Sequence, residues 1–274
     1  MIWPHSGLRM GGYADFIRAS SYTRAVDRKK LGFLYSHAIA EAERTGRLCA
    51  DMRALDLGAG SGAVTLPLAT LFGHVDAVDI DTEALARLRS RSAELGRTNV
   101  AVFEGDAAAF CDVAPYDVVL ASDMIQHVPD TEALLATIVS LVRPGGLLLA
   151  TIANGYGPFE MRNWHLNPRA RLVRVRWIRR LLGKAPYRAG GDVAHFFTFR
   201  QIVDRFREHG FALVEARNSD WLLPLVGSLP GTRLGELDCR LADRVPPAMA
   251  SGWYFALRRA ARGARIEPTP TSSA

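Results

Sequence analysis

The chain has 274 residues, 49% hydrophobic and 23% charged, the balance of a globular protein with one sizeable core and an appendage. No apolar run reaches the ~18 residues that cross a bilayer, and the opening MIWPHSGLRMGG lacks the apolar centre of a secretory signal, so a cytoplasmic location is expected. The net charge of +6 is uneven: residues 1–150 hold 14 basic and 18 acidic side chains, residues 151–274 hold 20 and 10, which places the basic character in the later part.

In chain order, residues 1–12 are expected to be loosely ordered, and residues 13–46 read as helical up to a glycine stop at Gly46. From residue 53 the pattern alternates. Strands are expected near 53–57, 75–79, 100–103, 117–121 and 146–152, with helices near 62–72, 82–95 and 131–142. In 141–153 a Pro-Gly-Gly turn separates a helix end from an apolar strand. Such alternation implies right-handed crossovers and a parallel sheet with helices on both faces. A ligand then belongs beyond the carboxyl ends of the strands, beside the first of them. Residues 154–197 break the rhythm, and 198–210 resume it as an amphipathic helix stopped by Gly210. Residues 211–217 and 252–259 read as a sixth and a seventh strand. Between these lies a second insertion, 220–251, with a helix near 232–245, and the Pro/Ser/Thr-rich end, EPTPTSSA, is expected to be disordered. Cys49, Cys111 and Cys239 lie far apart and form no CxxC pair; they read as small buried hydrophobes and exclude a zinc knuckle or disulfide scaffold.

The most informative stretch is ALDLGAGSGAV, residues 54–64. A hydrophobic strand ends on Asp56, Gly58, Gly60 and Gly62 follow at alternate positions, and a second acid, Asp79, closes the next strand. Glycines there let a ligand lie on bare backbone. Gly58, Gly60 and Ala63 also fit the looser dinucleotide pattern GxGxxG/A. A carboxylate beside the turn favours a cationic ligand over a pyrophosphate. The stretch resembles motif I, DxGxGxG, of the class I S-adenosylmethionine (SAM) methyltransferases. The blocks FEGDA (103–107), YDVVLASDMIQHV (116–128) and LVRPGGLLLATIA (141–153) follow in that family's order. The resemblance covers about residues 30–215.

It implies an α/β, Rossmann-like fold: a seven-stranded mostly parallel sheet with helices on both faces, the last strand antiparallel, and an inserted lid. The implied division is an N-terminal helical cap (1–46), a methyltransferase domain (47–260, with 154–197 and 220–251 as acceptor-side insertions) and a tail (261–274). It implies SAM as cofactor, with Asp56, Gly58, Gly60, Gly62, Asp79, Ile80, Asp106, Ala107 and Ser122 around it. Asp79 has two oxygens for the ribose hydroxyls, Ile80 an apolar face for the adenine, and Asp106 a place by the adenine amino group. Tyr22 or Arg24, from the leading helix, is positioned to cover the cofactor.

Methyl transfer needs alignment and, for a hydroxyl acceptor, removal of a proton. His127, after the fourth strand, is the first candidate base and His195 the second; each also reads as a structural histidine. Tyr156, Glu160, Trp164 and His165 are candidate acceptor contacts, and Phe159, Phe196 and Trp221 candidate apolar walls. Asp123 stands alone where a metal-dependent route wants clustered carboxylates, so no metal is expected. Residues 162–188 carry nine basic and no acidic side chains, with Trp164 and Trp177 between them. A lid over an anionic acceptor, a peripheral membrane patch and a solvated helix face all fit that composition. Nucleic acid is disfavoured by the acidic first half. The function expected is O-methylation of a small-molecule or glycan-type acceptor. Small-molecule N-methylation is the alternative within the class. A nucleotide-dependent oxidoreductase and a non-catalytic SAM-binding or membrane-associated protein are the alternatives outside it.

Overall fold

A computed structural model describes residues 10–112, 114–158, 193–221 and 233–261. Its centre is a seven-stranded sheet: β1 (Arg53–Leu57), β2 (His74–Asp79), β3 (Val100–Glu104), β4 (Tyr116–Ser122), β5 (Val142–Ala153), β6 (Phe211–Asn218) and β7 (Gly252–Arg259). The order across the sheet is β3-β2-β1-β4-β5-β7-β6. The first five strands run parallel, and β7 lies antiparallel between β5 and β6. The chain moves outward from β1 to β3 and then returns to β4 on the other side of β1. That reversal opens a crevice at the carboxyl ends of β1 and β4.

Strand residues alternate between two packed layers. Val118 and Leu120 of β4, with Leu147 and Leu149 of β5, face α2 (Ala25–Thr45) and its buried Leu31, Leu34 and Ala38. Val119, Ala121, Leu148 and Ala150 face the opposite layer, built from α5 (Thr131–Leu141) and α6 (Phe199–Glu208) through Leu134, Ile138, Ile202 and Phe206. A smaller cluster seats α4 (Thr82–Glu94) on β2 through Leu85, Leu88 and Ala77. Asp81 and Asp130 cap α4 and α5 through their side chains, and Thr198 with Gln201 forms a capping box on α6.

Several expectations are corrected. The stretch 13–46 is two helices, α1 (Met10–Ala19) and α2, with a break at 20–24; Gly46 does cap α2, in the left-handed conformation at φ 65°. The helix expected over 62–72 shrinks to the four residues of α3 (Thr65–Leu68). Pro67 has no N–H to give to Ala63, and past Leu68 the bonds tighten to three-residue ones, Thr70 N–H to the Pro67 carbonyl and Leu71 N–H to that of Leu68. The Ala63 carbonyl accepts instead from Ser20 Oγ at 2.6 Å, which ties the α1–α2 junction to the glycine turn. Pro144-Gly145-Gly146 does not separate helix from strand. It lies within β5, where the pairing jumps from Tyr116–Val142 to Val118–Leu147 and Gly145 takes φ 74°. Cys239 is buried and Cys49 half-buried, but Cys111 is exposed. The 220–251 region does contain a helix, α7 (Arg233–Ala242). No helix among the described residues is long and apolar enough to cross a membrane.

Candidate active site

A cavity of about 500 Å³ opens at the carboxyl ends of the strands, at the reversal between β1 and β4. Gly58 and Gly60 form one wall. Asp79, Ile80 and Asp81 enter from β2, Gly105 to Ala107 from β3, and Ser122 to Met124 from β4, while His127 to Pro129 close the far side.

The glycine turn is shaped by close approach. Gly58 and Ala59 both donate to the Val78 carbonyl, at 2.8 and 3.0 Å, folding the turn back over β2. Gly58 has φ 73°, and a Cβ there would stand 2.7 Å from Met124 Cβ. Gly60 donates its N–H to Asp79 Oδ2 at 2.7 Å, and Asp81 donates to Oδ1 at 2.8 Å. Asp79 is therefore held by two backbone donors rather than having both oxygens wholly free. Each oxygen keeps a lone pair for a ligand hydroxyl. Asp106 Oδ1 accepts from Ala108 N–H at 2.9 Å. Ile80 presents a half-exposed apolar face to the cavity.

Two of the nine cofactor-side candidates lie behind the cavity wall. Gly62 does not line it; at φ 81°, its bare Cα makes room for Leu88 Cδ1, which an added Cβ would meet at 2.3 Å. Asp56 is 1% exposed and accepts from Thr65 Oγ1 at 2.6 Å. Burial pushes its carboxyl up to about 7; Thr65 and Lys30 pull it down, and Asp79 adds to the rise.

The residue that sequence reasoning missed is Lys30. It projects from α2, 5% exposed, and its Nζ donates to Asp123 Oδ2 at 2.5 Å and to Ser122 Oγ at 3.4 Å. The Tyr22 ring lies 4.8 Å from the same ammonium, so Tyr22 meets this pair. Asp123 takes φ 54°, rare for a residue with a side chain. Its N–H donates to the Thr151 carbonyl and hydroxyl, and Thr151 Oγ1 donates back to Oδ1 at 2.8 Å. Burial pulls the Lys30 ammonium down, but Asp123 and Tyr22 outweigh it and the net shift is upward. The protein packed around Asp123 pushes its carboxyl up although the side chain still faces the open cavity, and Lys30, with the Thr151 bond, carries it below the ordinary carboxylate value. A charged pair thus sits at the end of β4. The available signal was Lys30's place on the face that also holds Asp27, Leu31 and Leu34. Arg24 instead closes the start of α2 by pairing with Asp27.

His127 lines the cavity. His195 lies behind the far wall, its Nε2 2.7 Å from the Pro129 carbonyl. Tyr156 is half-exposed, with its ring 6.5 Å from that of Phe196, and Gly155 N–H donates to the Phe197 carbonyl at 3.0 Å. Trp221 N–H donates to Asp238 Oδ2. Phe159, Glu160, Trp164, His165 and the basic stretch 162–188 lie outside the described residues. Among the described residues no three His, Cys, Asp or Glu side chains gather where they would hold a metal.

Residues 55–148 match the model of a methyltransferase domain family. That stretch, together with the relatives and solved structures it resembles, supports a class I SAM-dependent methyltransferase. It is 32% identical over 126 residues to a ubiquinone biosynthesis O-methyltransferase of Burkholderia lata, covering 46% of this chain and 50% of that one. It is 30% identical over 169 residues to the protein of the same name from Cupriavidus pinatubonensis, covering 61% and 63%. The chain thus spans about half to two thirds of the length of these curated relatives. Solved methyltransferases share the fold. A putative sarcosine dimethylglycine methyltransferase from Galdieria sulphuraria superposes with a TM-score of 0.55 at 16% identity, over 89% of this chain and 93% of that one. The N-methyltransferase NodS from Bradyrhizobium japonicum gives 0.53 at 13%, over 85% and 98%.

The cofactor of this methyltransferase family is SAM, and the residues present fit it. Four carboxylates, Asp79, Asp81, Asp106 and Asp123, line the cavity. They suit a cationic nucleoside and would repel a diphosphate. The helix after the glycine turn is four residues long and begins three residues beyond Gly62, so it offers no extended dipole to a phosphate.

Proposed function

We propose that the protein methylates a hydroxyl on a small-molecule or glycan-type acceptor, using SAM. The observation that carries this reading is the carboxylate-lined cavity above the glycine turn, roomy, anionic and open at the reversal between β1 and β4. Bound there, SAM supplies a methyl group on a cationic sulfur, a carbon open to in-line attack. Asp79, held by Gly60 and Asp81, orients the ribose. Ile80 flanks the adenine and Asp106 faces its amino group. The Lys30–Asp123 pair and Ser122 receive the amino-acid end, where an ammonium and a carboxylate find opposite charges side by side.

His127 stands on the acceptor side, where an oxygen nucleophile has to be aimed. The relatives named for O-methylation support oxygen over nitrogen as the acceptor atom. The basic stretch 162–188 supports an anionic acceptor. Both segments flanking 159–192 are joined by the Gly155–Phe197 bond, and His195 in the second of them reaches Pro129 on the cavity wall. We take residues 1–46 as a cap, 47–260 as the methyltransferase unit and 261–274 as a tail.

Calorimetric titration with SAM tests the site. Asp79→Ala is expected to weaken binding about tenfold or more, because charge-assisted bonds to the ribose are lost. Unchanged affinity would overturn the assignment. Incubating labelled SAM with extracts of the source organism and identifying the labelled product then names the acceptor; binding without any transfer would favour a non-catalytic SAM-binding protein.

A further inference from the structure

Thr151 is fully buried near the carboxyl end of β5, and its hydroxyl meets three groups at the charged end of the cavity. The Asp123 N–H donates to Thr151 Oγ1 at 3.0 Å, and Asp123 Oδ1 lies 2.8 Å from it. Ser122 Oγ lies 3.1 Å away. A hydroxyl has one hydrogen and two lone pairs. Asp123 is held as a carboxylate by the Lys30 ammonium, 2.5 Å from Oδ2, so Oδ1 can only accept. The Thr151 hydrogen therefore goes to Oδ1, since the opposite choice would set a lone pair against a carboxylate oxygen. Thr151 has no hydrogen left for Ser122, and in that contact Ser122 is the donor. The single Ser122 hydrogen is thus spent inward. One of its lone pairs accepts from Lys30 Nζ at 3.4 Å, and the other remains on the cavity wall.

We infer that Thr151 is a positioning residue that makes Ser122 an acceptor-only group, so that the amino-acid end of the cofactor is read by its ammonium. The inference rests on the cofactor reading of the cavity, and it says which part of SAM the end of β4 selects. An ammonium brings three donors and no acceptor, which suits a lone pair on Ser122 beside the Asp123 carboxylate. A carboxylate brought to the same spot meets a lone pair and a negative charge instead. Thr151 fixes Asp123 as well. Its carbonyl and hydroxyl both accept from the Asp123 N–H, and its hydrogen holds Oδ1, which seats a side chain whose backbone takes φ 54°. One buried hydroxyl sets both the direction of Ser122 and the aim of Asp123.

Neutron diffraction from crystals of the ligand-free full chain reads the hydroxyls directly. Deuterons are expected on the lines from Ser122 to Thr151 and from Thr151 to Asp123. A Ser122 deuteron turned to the cavity would overturn the inference whether or not SAM binds. Calorimetric titration then compares S-adenosylhomocysteine with its analogue carrying hydrogen in place of the α-amino group. Wild type is expected to prefer the amine about a hundredfold. Thr151→Val keeps the shape, removes the hydroxyl and should cut that preference about tenfold, and Thr151→Ser should restore it. Ser122→Ala keeps Thr151 and should lower the same preference, which serves if Thr151→Val does not fold. A purely structural threonine would weaken both ligands alike, so an unchanged ratio in the variants overturns the inference and leaves the cofactor reading standing. Binding of neither ligand by wild type would remove the cofactor reading and the inference with it.

Discussion

At the residue scale, two acids show how burial turns the same side chain to different ends. Asp56 is closed off beneath the glycine turn, and burial raises its carboxyl to about 7. The unfolded chain ionises it near 3.9, so from about pH 4 to pH 7 the unfolded state sheds a proton that the folded state retains. Stability from this group is complete below that window and is lost as pH rises through it, by at most about 4 kcal/mol. Asp56→Asn is expected to match wild type near pH 4 and to exceed it near pH 8 in urea unfolding without SAM. Parallel profiles would show that the carboxyl ionises freely. Asp123 is the opposite case. Its side chain is 50% exposed while that of Lys30 is 6% exposed, so the pair is one-sided. Asp123→Asn strands a buried ammonium and should cost about 3 kcal/mol. Lys30→Met leaves a carboxylate that water in the cavity can reach, and should cost clearly less. Chemical denaturation of both variants decides it, and equal losses would mean that the lysine is better hydrated than its burial implies.

At the element scale, the glycine turn does two jobs with one spacing. Gly58 and Gly60 bare the backbone toward the cavity, whereas Gly62 bares it toward α4. Gly62→Ala meets both a left-handed φ and Leu88, and is expected to destabilise by about 2 kcal/mol or more. Adding Leu88→Ala should return the steric part but not the backbone part, and a double-mutant cycle in thermal unfolding measures the coupling. Zero coupling would show that α4 shifts freely. The strands of the parallel half were legible because apolar runs end in acids or glycines at regular intervals. The turn's division of labour was not, because Gly58, Gly60 and Gly62 look alike until Met124 and Leu88 are placed beside them. The length of the helix after the turn was misread for a local reason. Apolar periodicity ran on through Leu68 and Leu71, while Pro67 had already removed a rung. Lys30 escaped for a third reason: a lysine within an amphipathic run looks solvated, and only the arrival of Asp123 from β4 makes it an inside residue.

At the scale of the whole molecule, the site draws on more than the stretch that matches the family. Residues 55–148 supply the glycine turn, the acids and His127, but Lys30 comes from α2, before that stretch. α2 packs on β4 and β5, and it is also held by residues beyond that stretch. Glu41, its side chain fully buried, accepts from Arg44 at 2.6 Å, Arg143 at 3.1 Å and Arg258 at 2.8 Å. Tyr254 Oη donates to the Val26 carbonyl, and Lys29 donates to the Cys239 carbonyl and pairs with Asp243. The parallel half of the sheet and its crevice could be read from periodicity, because each strand announces itself locally. This long-range clasp could not, because Glu41 and Arg143 lie 102 positions apart, Lys29 and Cys239 lie 210 apart, and they share no local pattern.

That clasp ties an early helix to the last described strand. Lys30 is made early, yet β7, which carries Tyr254 and Arg258, is the last strand among the described residues to be synthesised. Until it pairs between β5 and β6, α2 lacks its Tyr254 and Arg258 contacts. A chain cut short before Gly252 therefore keeps every residue of the glycine turn and loses two of the bonds that seat the helix carrying Lys30.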